Sequence, residues 1–526
     1  MRVFRLIILM ALFAGNIIRA QEAAENSAKN ELEKQESKIL EISLEDAITL
    51  ALEENLQLRI QEFNPQLDEY RLQDALAGYI PQLRGSVNLR DDSSPGGINP
   101  ATNESFPSNI TKTITNDNNI QGLLPTGTSY TVGFNTAQRE GAFIPLSNRN
   151  TGNLQFFLSQ PLLKNMWIDT TRRFIRVSRK NVELSYSQFE LNLMQIVRDV
   201  EIAYYDLIAS YENVKVQQKA LELGETTLSE NRVKIKVGVM APLDETEAEA
   251  QVASSKASLI QAKQALKRSQ NALKRLISDD FADIYATEVV PKEKLGTKEY
   301  TFDVYASWSR GLIERPEIVQ SRINIDTQDI EIKFSKNQLY PQLDLIASYS
   351  LNGLDRKYTG VWDDFARRND PSTLVGIQYS VPLNNKGPRS RYKLAKAQHQ
   401  ILLLRLKDLE QRIQAEIADA VDSAKSAKEQ VLARSEARKF AQKALEVEQV
   451  KLEKGKSTDF IVLRLQRDLT QAQADEISAM VNYRRALTLL SFSEATILER
   501  NKVFIDSRQR EPSWLKSGRK SRYRKP

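Results

Sequence analysis

The chain of 526 residues has no cysteine. Disulfides, thiolate metal sites, a cysteine nucleophile and a lipidated N-terminal Cys are thereby excluded. Histidine is nearly absent too: the single His399 lies in a polar helical run, where a solvated ring is expected. Long apolar runs are missing after residue 21, so no later transmembrane helix is expected. A membrane-crossing form of this chain would have to be a β-barrel, the other structure that satisfies its backbone internally. No catalytic pair stands out among the scattered Asp and Glu, which read as solvated helix faces. The "GKS" at Gly455 to Ser457 imitates the end of a phosphate loop. The upstream glycine position is Val450, however, and no strand precedes it. No cofactor, metal or enzymatic activity is expected.

What is present starts with MRVFRLIILMALFAGNIIRA, a basic start, an apolar core and small residues near Ala20. This reads as a secretory signal peptide over residues 1–20 rather than an anchor, because the apolar stretch is short for a span. Without it, 71 basic side chains face 68 acidic ones, and six of the basic ones lie in the last eleven residues. The body is slightly acidic and the 499–526 tail basic. In an exported chain that tail is expected to be a disordered end rather than a nucleic-acid site.

The chain repeats itself. YIPQLRGSVNL (Tyr79 to Leu89) answers LYPQLDLIASY (Leu339 to Tyr349), and LQFFLSQPLLKN (Leu154 to Asn165) answers VGIQYSVPLNNK (Val375 to Lys386). A very long helical segment follows each, then a glycine tip, then a second helix. RVKIKVG (Arg232 to Gly238) aligns with QVKLEKG (Gln449 to Gly455). The first half has about forty extra residues between its matched prolines, so this is one tandem duplication with an enlarged loop region. The first repeat is assigned to 21–285, an equatorial connection to 286–307 and the second repeat to 308–498.

Val197, Val200, Tyr204, Leu207, Tyr211 and Val214 alternate steps of three and four. Val252, Leu259, Leu266 and Leu273 recur every seven residues, beside a row of Ser255, Ala262, Ser269 and Leu276. Such seams pack knobs into holes against neighbouring helices. Asp169 to Val237 and Pro388 to Lys454 each give a helix of roughly 100 Å. Leu44 to Gly78, Leu243 to Leu276, Val304 to Gln338 and Phe460 to Phe492 are about half as long. Two long helices with two stacked pairs of short ones would form a segment of a cylinder wall.

Strands within 82–162 and 342–382 alternate apolar and polar, as an outer-membrane barrel requires. One chain has too few strands to close a barrel, for which about eight is the practical minimum. A symmetric oligomer sharing one barrel is therefore expected. NIQGLLPTGTSYTVGF (Asn119 to Phe134) reads either as an extra hairpin turning at Pro125 to Gly127, with Tyr130, Val132 and Phe134 outward, or as part of a long surface loop. Asp91 to Asp117, rich in Asn, Ser, Gly and Pro, reads as loop either way.

These pieces together resemble the TolC family of outer-membrane efflux channels from roughly Leu40 to Leu498. The resemblance rests on ISLEDAITLALEENLQLR, the YIPQL/LYPQL and QPLL/VPLN pairs, and the tips VGVMAPLDETEAEAQ and KGKSTDFIVLRLQRDLTQAQ. It implies a mixed α+β membrane protein: a homotrimer with a shared twelve-stranded β-barrel in outer-membrane lipid, continued by an α-helical coiled-coil barrel in the periplasm. It further implies a passive duct of a tripartite efflux pump or type I secretion system, docked to a periplasmic adaptor (membrane fusion) protein and an inner-membrane transporter. A periplasmic coiled-coil adaptor or scaffold is the alternative.

The tips are the candidate gate and docking site. Gly238 and Gly455 end the long helices, a position where glycine can take φ > 0. Pro242 starts the returning helix, where its missing N–H is harmless. Asp244 and Glu245 in that first turn, and Asp459 in the other, suit the positive helix end. The family acid that helps hold the closed state corresponds to Asp244, and Asp244→Ala is expected to raise conductance. Its usual partner positions fall on Leu452 and Ser457. Family positions for a pore-lining aspartate ring fall on Ile461 and Arg464, leaving Asp459 or Asp468 to supply such a charge.

Overall fold

The computed structural model describes residues 39–98, 101–141, 150–237, 242–296, 300–368 and 370–503. The chain enters through β1 (Ile39–Ile42), α1 (Leu44–Glu54) and α2 (Leu56–Leu76). A 3-10 turn over Ala77–Tyr79 leads into β2 (Gln82–Ser94), β3 (Gly97–Ile98), β4 (Ser105–Phe106), β5 (Asn109–Leu123), β6 (Ser129–Gly141) and β7 (Asn150–Pro161). Then come the 67-residue α3 (Thr170–Lys236), α4 (Pro242–Ile277), α5 (Phe281–Tyr285), β8 (Glu288–Pro291), α6 (Val304–Glu314) and α7 (Pro316–Asn337). The second strand set is β9 (Gln342–Asp355), α8 (Tyr358–Arg367) and β10 (Asp370–Ser380). It is followed by the 68-residue α9 (Lys386–Glu453), α10 (Asp459–Ser493) and α11 (Ile497–Arg500).

Two compact units cut across the sequence repeats, with boundaries inside helices. Among the described residues, one falls within 39–62, 190–316 and 410–503, the other within 63–189 and 317–409. The second unit holds a six-stranded antiparallel sheet in the order β10-β9-β7-β6-β5-β2. β7 pairs with β9, joining the two repeats through Leu154↔Leu351 and Phe156↔Tyr349.

Register carries one parity through all six strands. Leu83 and Leu89 oppose Ile120 and Ile114; Val132 opposes Ile120 and Phe156; Ala347 opposes Leu158 and Val375. Paired residues share a face of a sheet. One face therefore collects Leu83, Val87, Leu89, Val132, Phe156, Tyr349 and Ile377, while the other holds Arg84, Ser86, Asn88, Asn119, Gln155 and Gln378. Away from α8 the apolar face is largely uncovered in one chain: Leu89 is 75% and Tyr379 76% exposed. A polar interruption lies in β5, where Asn118 Nδ2 donates to Asn116 Oδ1 at 2.8 Å.

Two expectations change, and one open reading is resolved. Asp91 to Asp117 is not all loop: β2 runs on to Ser94 and β5 starts at Asn109, paired Asp91↔Lys112 through Ser94↔Asn109. The β-branched alternation of ITKTIT favours strand, which outweighs the turn-like composition around it. The Asn119 to Phe134 segment is a hairpin, closed by Leu124 N–H to Thr128 O at 2.8 Å, with Tyr130, Val132 and Phe134 on the apolar face. The described residues consequently supply six strands to this sheet, where a twelve-stranded trimer needs four; the extra pair is β5–β6.

The half-length helices are also interrupted. Asn55 breaks α1 from α2 at φ −66°, ψ 115°, its Nδ2 donating to Leu276 O at 2.9 Å and its Oδ1 accepting from Leu58 N–H at 3.0 Å. Arg315 breaks α6 from α7 at ψ 127°, as the residue before a proline prefers. The same break thus occurs once in each repeat.

In the first unit β1 pairs in parallel with β8. The expected seam is present: Val197, Val200, Tyr204 and Leu207 are buried on α3, and Ser255, Leu259, Ala262 and Leu273 on α4. Ile413, Ile417, Val421, Ala424 and Val431 form the matching stripe on α9. Among the described residues no helix is long and apolar enough to cross a membrane.

Candidate functional site

The two tips lie within the first unit. Gly238 falls outside the described residues. α4 begins at Pro242, which offers no N–H at a position where none is needed, and carries Asp244 and Glu245 in its first turn. Across this hairpin the exposed Arg232 Nε donates to Glu245 at 2.9 Å and its terminal nitrogen to Glu249 at 2.6 Å. These two carboxylates hold the guanidinium above its ordinary pKa.

The second tip is a glycine-capped helix end. Gly455 has φ +69° and open space around its Cβ position. Lys456 N–H bonds Lys451 O at 2.8 Å and Gly455 N–H bonds Leu452 O at 2.9 Å, the double closure of a Schellman motif. The tip is tightened by Glu448, which accepts from Ser457 Oγ at 2.6 Å and Lys451 Nζ at 2.8 Å. Those bonds, Lys451 first, hold the Glu448 carboxyl below its usual range, with Arg464 a further positive neighbour. Arg464 itself is exposed and Ile461 half-buried. Ser457, on which a family partner position of Asp244 falls, is bonded within its own hairpin.

Asp459 is where the tips meet. It opens α10 and is only 7% exposed. Burial pushes its carboxyl pKa up, and Asp244 and Glu230 push it further, while Lys234 draws it down. Asp244 thus acts on Asp459 from across the two hairpins. Lys234, the positive charge that acts on Asp459, lies on the last turns of α3. Beside it Asn231 is fully buried, with neither amide atom hydrogen-bonded. Sequence reading missed Lys234, Glu230, Asn231 and Glu448. Their only local signal is a charge-rich run like every other on these helices, and the pairing is set by the approach of two hairpins more than two hundred residues apart.

At their other ends the hairpins are tied by buried charge. Glu201, with no exposure, accepts from Thr488 Oγ1, Arg500 and Asn501, and Arg485 Nε donates to Asp206 at 2.9 Å. A buried carboxylate held by three donors joins α3 to α10 and α11 firmly, because removing one donor would strand the charge. The arrangement offers contacts that can part at the tips and contacts that resist parting at the base. No group of His, Cys, Asp and Glu suited to a metal occurs among the described residues.

The sequence matches the family model described as outer membrane efflux protein over residues 128–278 and 309–493. No curated protein matches in sequence. Among solved structures, the CmeC outer membrane channel of Campylobacter jejuni superposes with a TM-score of 0.63 at 17% identity, covering 88% of this chain and 90% of that one. VceC of Vibrio cholerae gives 0.62 at 16% identity, with 86% and 95% covered. The open-state MtrE channel of Neisseria gonorrhoeae gives 0.61 at 16% identity, with 86% and 88% covered. At such identities the likeness speaks to fold alone.

Proposed function

The chain belongs to the outer membrane efflux protein family, and from that premise we propose a passive, homotrimeric duct that serves a periplasmic adaptor and an inner-membrane transporter. As a member it is an outer-membrane export channel with its helical part in the periplasm. The observation that carries the reading is the open six-stranded sheet with one apolar face. Its edge strands are β2, which leaves the helical end, and β10, which returns to it. Set side by side between copies, they run antiparallel, so three copies close a barrel of eighteen strands. Barrels of this size enclose an aqueous channel.

The family's tips supply the gate in this proposal. Gly238, Pro242, Asp244, Gly455, Asp459 and Arg464 form the periplasmic gate and docking end, and Lys234 on the first hairpin acts electrostatically on Asp459 of the second. The free energy for transport comes from the inner-membrane partner, which can be an efflux pump or a type I secretion transporter. Residues 21–285 and 308–498 are the two descendants of one duplication, joined through 286–307.

Conductance in planar bilayers tests the gate. Lys234→Met is expected to raise the open probability, because it removes the positive charge that offsets the repulsion of Asp459 by Asp244 and Glu230. Unchanged conductance would take the gate away from these residues. Recovery of the full chain in the soluble periplasm, without detergent, would overturn the duct itself in favour of a soluble coiled-coil scaffold.

A further inference from the structure

Helix α8 occupies an unexpected place. It connects β9 to β10 at the strand ends remote from the helices, and its Val361 and Phe365 are buried. Both sit on Gly152 and Gly353, which pair directly across β7 and β9. A Cβ at Gly152 would come within 2.4 Å of Val361 Cγ1, and one at Gly353 within 2.8 Å of the Val361 carbonyl oxygen. The bare glycine pair is what admits the helix. Trp362 stacks on Phe134, with ring centroids 4.6 Å apart, and Phe365 meets the same ring edge-on at 6.1 Å.

Gly152, Gly353 and Phe134 share the parity of Leu154, Phe156 and Leu351, so α8 lies on the apolar face of the sheet. That is the face left to lipid, and this end of the strands is the one away from the periplasm. The apolar band along β9 from Leu343 to Gly353 is about 25 Å tall on tilted strands, the hydrophobic height of an outer-membrane barrel. Helix α8 thus sits at the outer rim of the hydrocarbon layer. Tyr358 and Trp362 stay 41% and 46% exposed there, as aromatic residues at a membrane interface do.

Two pairs of cations flank it. Arg356 and Lys357 precede the helix, Arg367 ends it, and Arg368 caps it in the left-handed conformation. All four are exposed, and among the described residues none is held in an ion pair. Of the four nearby acids, Asp355 accepts from Lys357 N–H at 2.7 Å and Asp364 from Leu354 N–H at 3.1 Å, while Asp363 on the outer side of the helix and Asp370 at the start of β10 are exposed. A ten-residue helix separates the two cation pairs by about 15 Å.

We propose that α8 is an interfacial anchor that binds the phosphates of outer-leaflet glycolipid through Arg356, Lys357, Arg367 and Arg368. Two spaced cation pairs match a sugar headgroup that bears a phosphate at each end better than a phospholipid with one. Guanidinium groups bind phosphate oxygens through paired N–H donors, and the aromatic underside places them at headgroup level. The inference does not depend on how the tips open or which transporter the duct serves.

The full-length protein, extracted in detergent and delipidated, is incubated with diphosphorylated lipid A, its dephosphorylated form or phosphatidylglycerol, and bound lipid is counted by native mass spectrometry. Retention of the diphosphorylated lipid is expected to exceed that of the other two by about tenfold, and replacing the four cations by Gln should erase the preference. If the fourfold variant does not assemble, R356Q/K357Q and R367Q/R368Q are used instead, each expected to lose about threefold. The proposal is overturned if an assembled Gln variant binds like the unmodified protein. It is equally overturned if phosphatidylglycerol is retained as strongly as the diphosphorylated lipid.

Discussion

The two repeats follow one plan but build different amounts of the sheet. The first contributes β2, β5, β6 and β7, the second only β9 and β10, with α8 in place of a hairpin. Both deliver a helix of nearly equal length afterwards, 67 residues in α3 and 68 in α9. Helix length is therefore held constant while strand number is free. The reason is geometric: a hairpin inserted between β2 and β7 preserves every strand direction, so nothing below the sheet must move. Width in the membrane and reach below it are separate quantities in this fold.

Removing the β5–β6 hairpin should break that asymmetry most severely. β2 and β7 run antiparallel and can pair directly, leaving four strands per chain. Because barrel diameter grows about linearly with strand number, the pore area should fall by roughly half, and single-channel conductance with it. Conductance unchanged by the deletion would mean that the hairpin does not line the duct.

The α8 side of the comparison is sharpened by filling its glycine floor. Gly152→Val drives a side chain into Val361 and Phe365, and overpacking of this kind costs about 1–3 kcal/mol. It should appear as a lower dissociation temperature of the detergent-solubilised assembly. At the second tip, Gly455→Ala places a side chain at φ +69°, a strain of about 1 kcal/mol, in open space that adds no clash. Faster amide hydrogen exchange confined to residues near 451–458 would register it.

A subtler difference between the tips is their response to acid. Burial raises the Asp459 pKa, so the folded tip binds a proton more readily than the unfolded chain. Its contribution is fully present below the unfolded pKa and lost as pH rises through the raised folded value. Amide protection near Asp459 should therefore increase on acidification, and Asp459→Asn should hold that protection at neutral pH. An Asn variant as pH-sensitive as the unmodified protein would assign the effect to another group.

Much of this architecture was legible because it is periodic. The duplicated proline and glycine landmarks, the seven-residue rows on α4 and the alternation in β7 and β9 are local patterns with one structural reading each. The breaks at Asn55 and Arg315 were less visible: Arg315 has Pro316 behind it as a signal, whereas Asn55 breaks its helix by reaching Leu276, far along the chain. The full reach of β2 and β5 was hidden because strands beyond the hydrocarbon layer need not alternate in polarity, so Asp91, Asp92 and Asn109 read as turn residues. At the tips, the capping of Gly455 was written in the sequence. The meeting of Asp459 with Lys234, Glu230 and Asp244 was not, since it arises from tertiary approach alone.

The most direct measurement is electron cryomicroscopy of the detergent-extracted full-length assembly, resolved well enough to count strands. Three-fold symmetry with eighteen strands, β10 of one copy beside β2 of the next and α8 outside the wall, is the expected result. A twelve-stranded barrel, or a soluble particle whose sheet remains open, would contradict it.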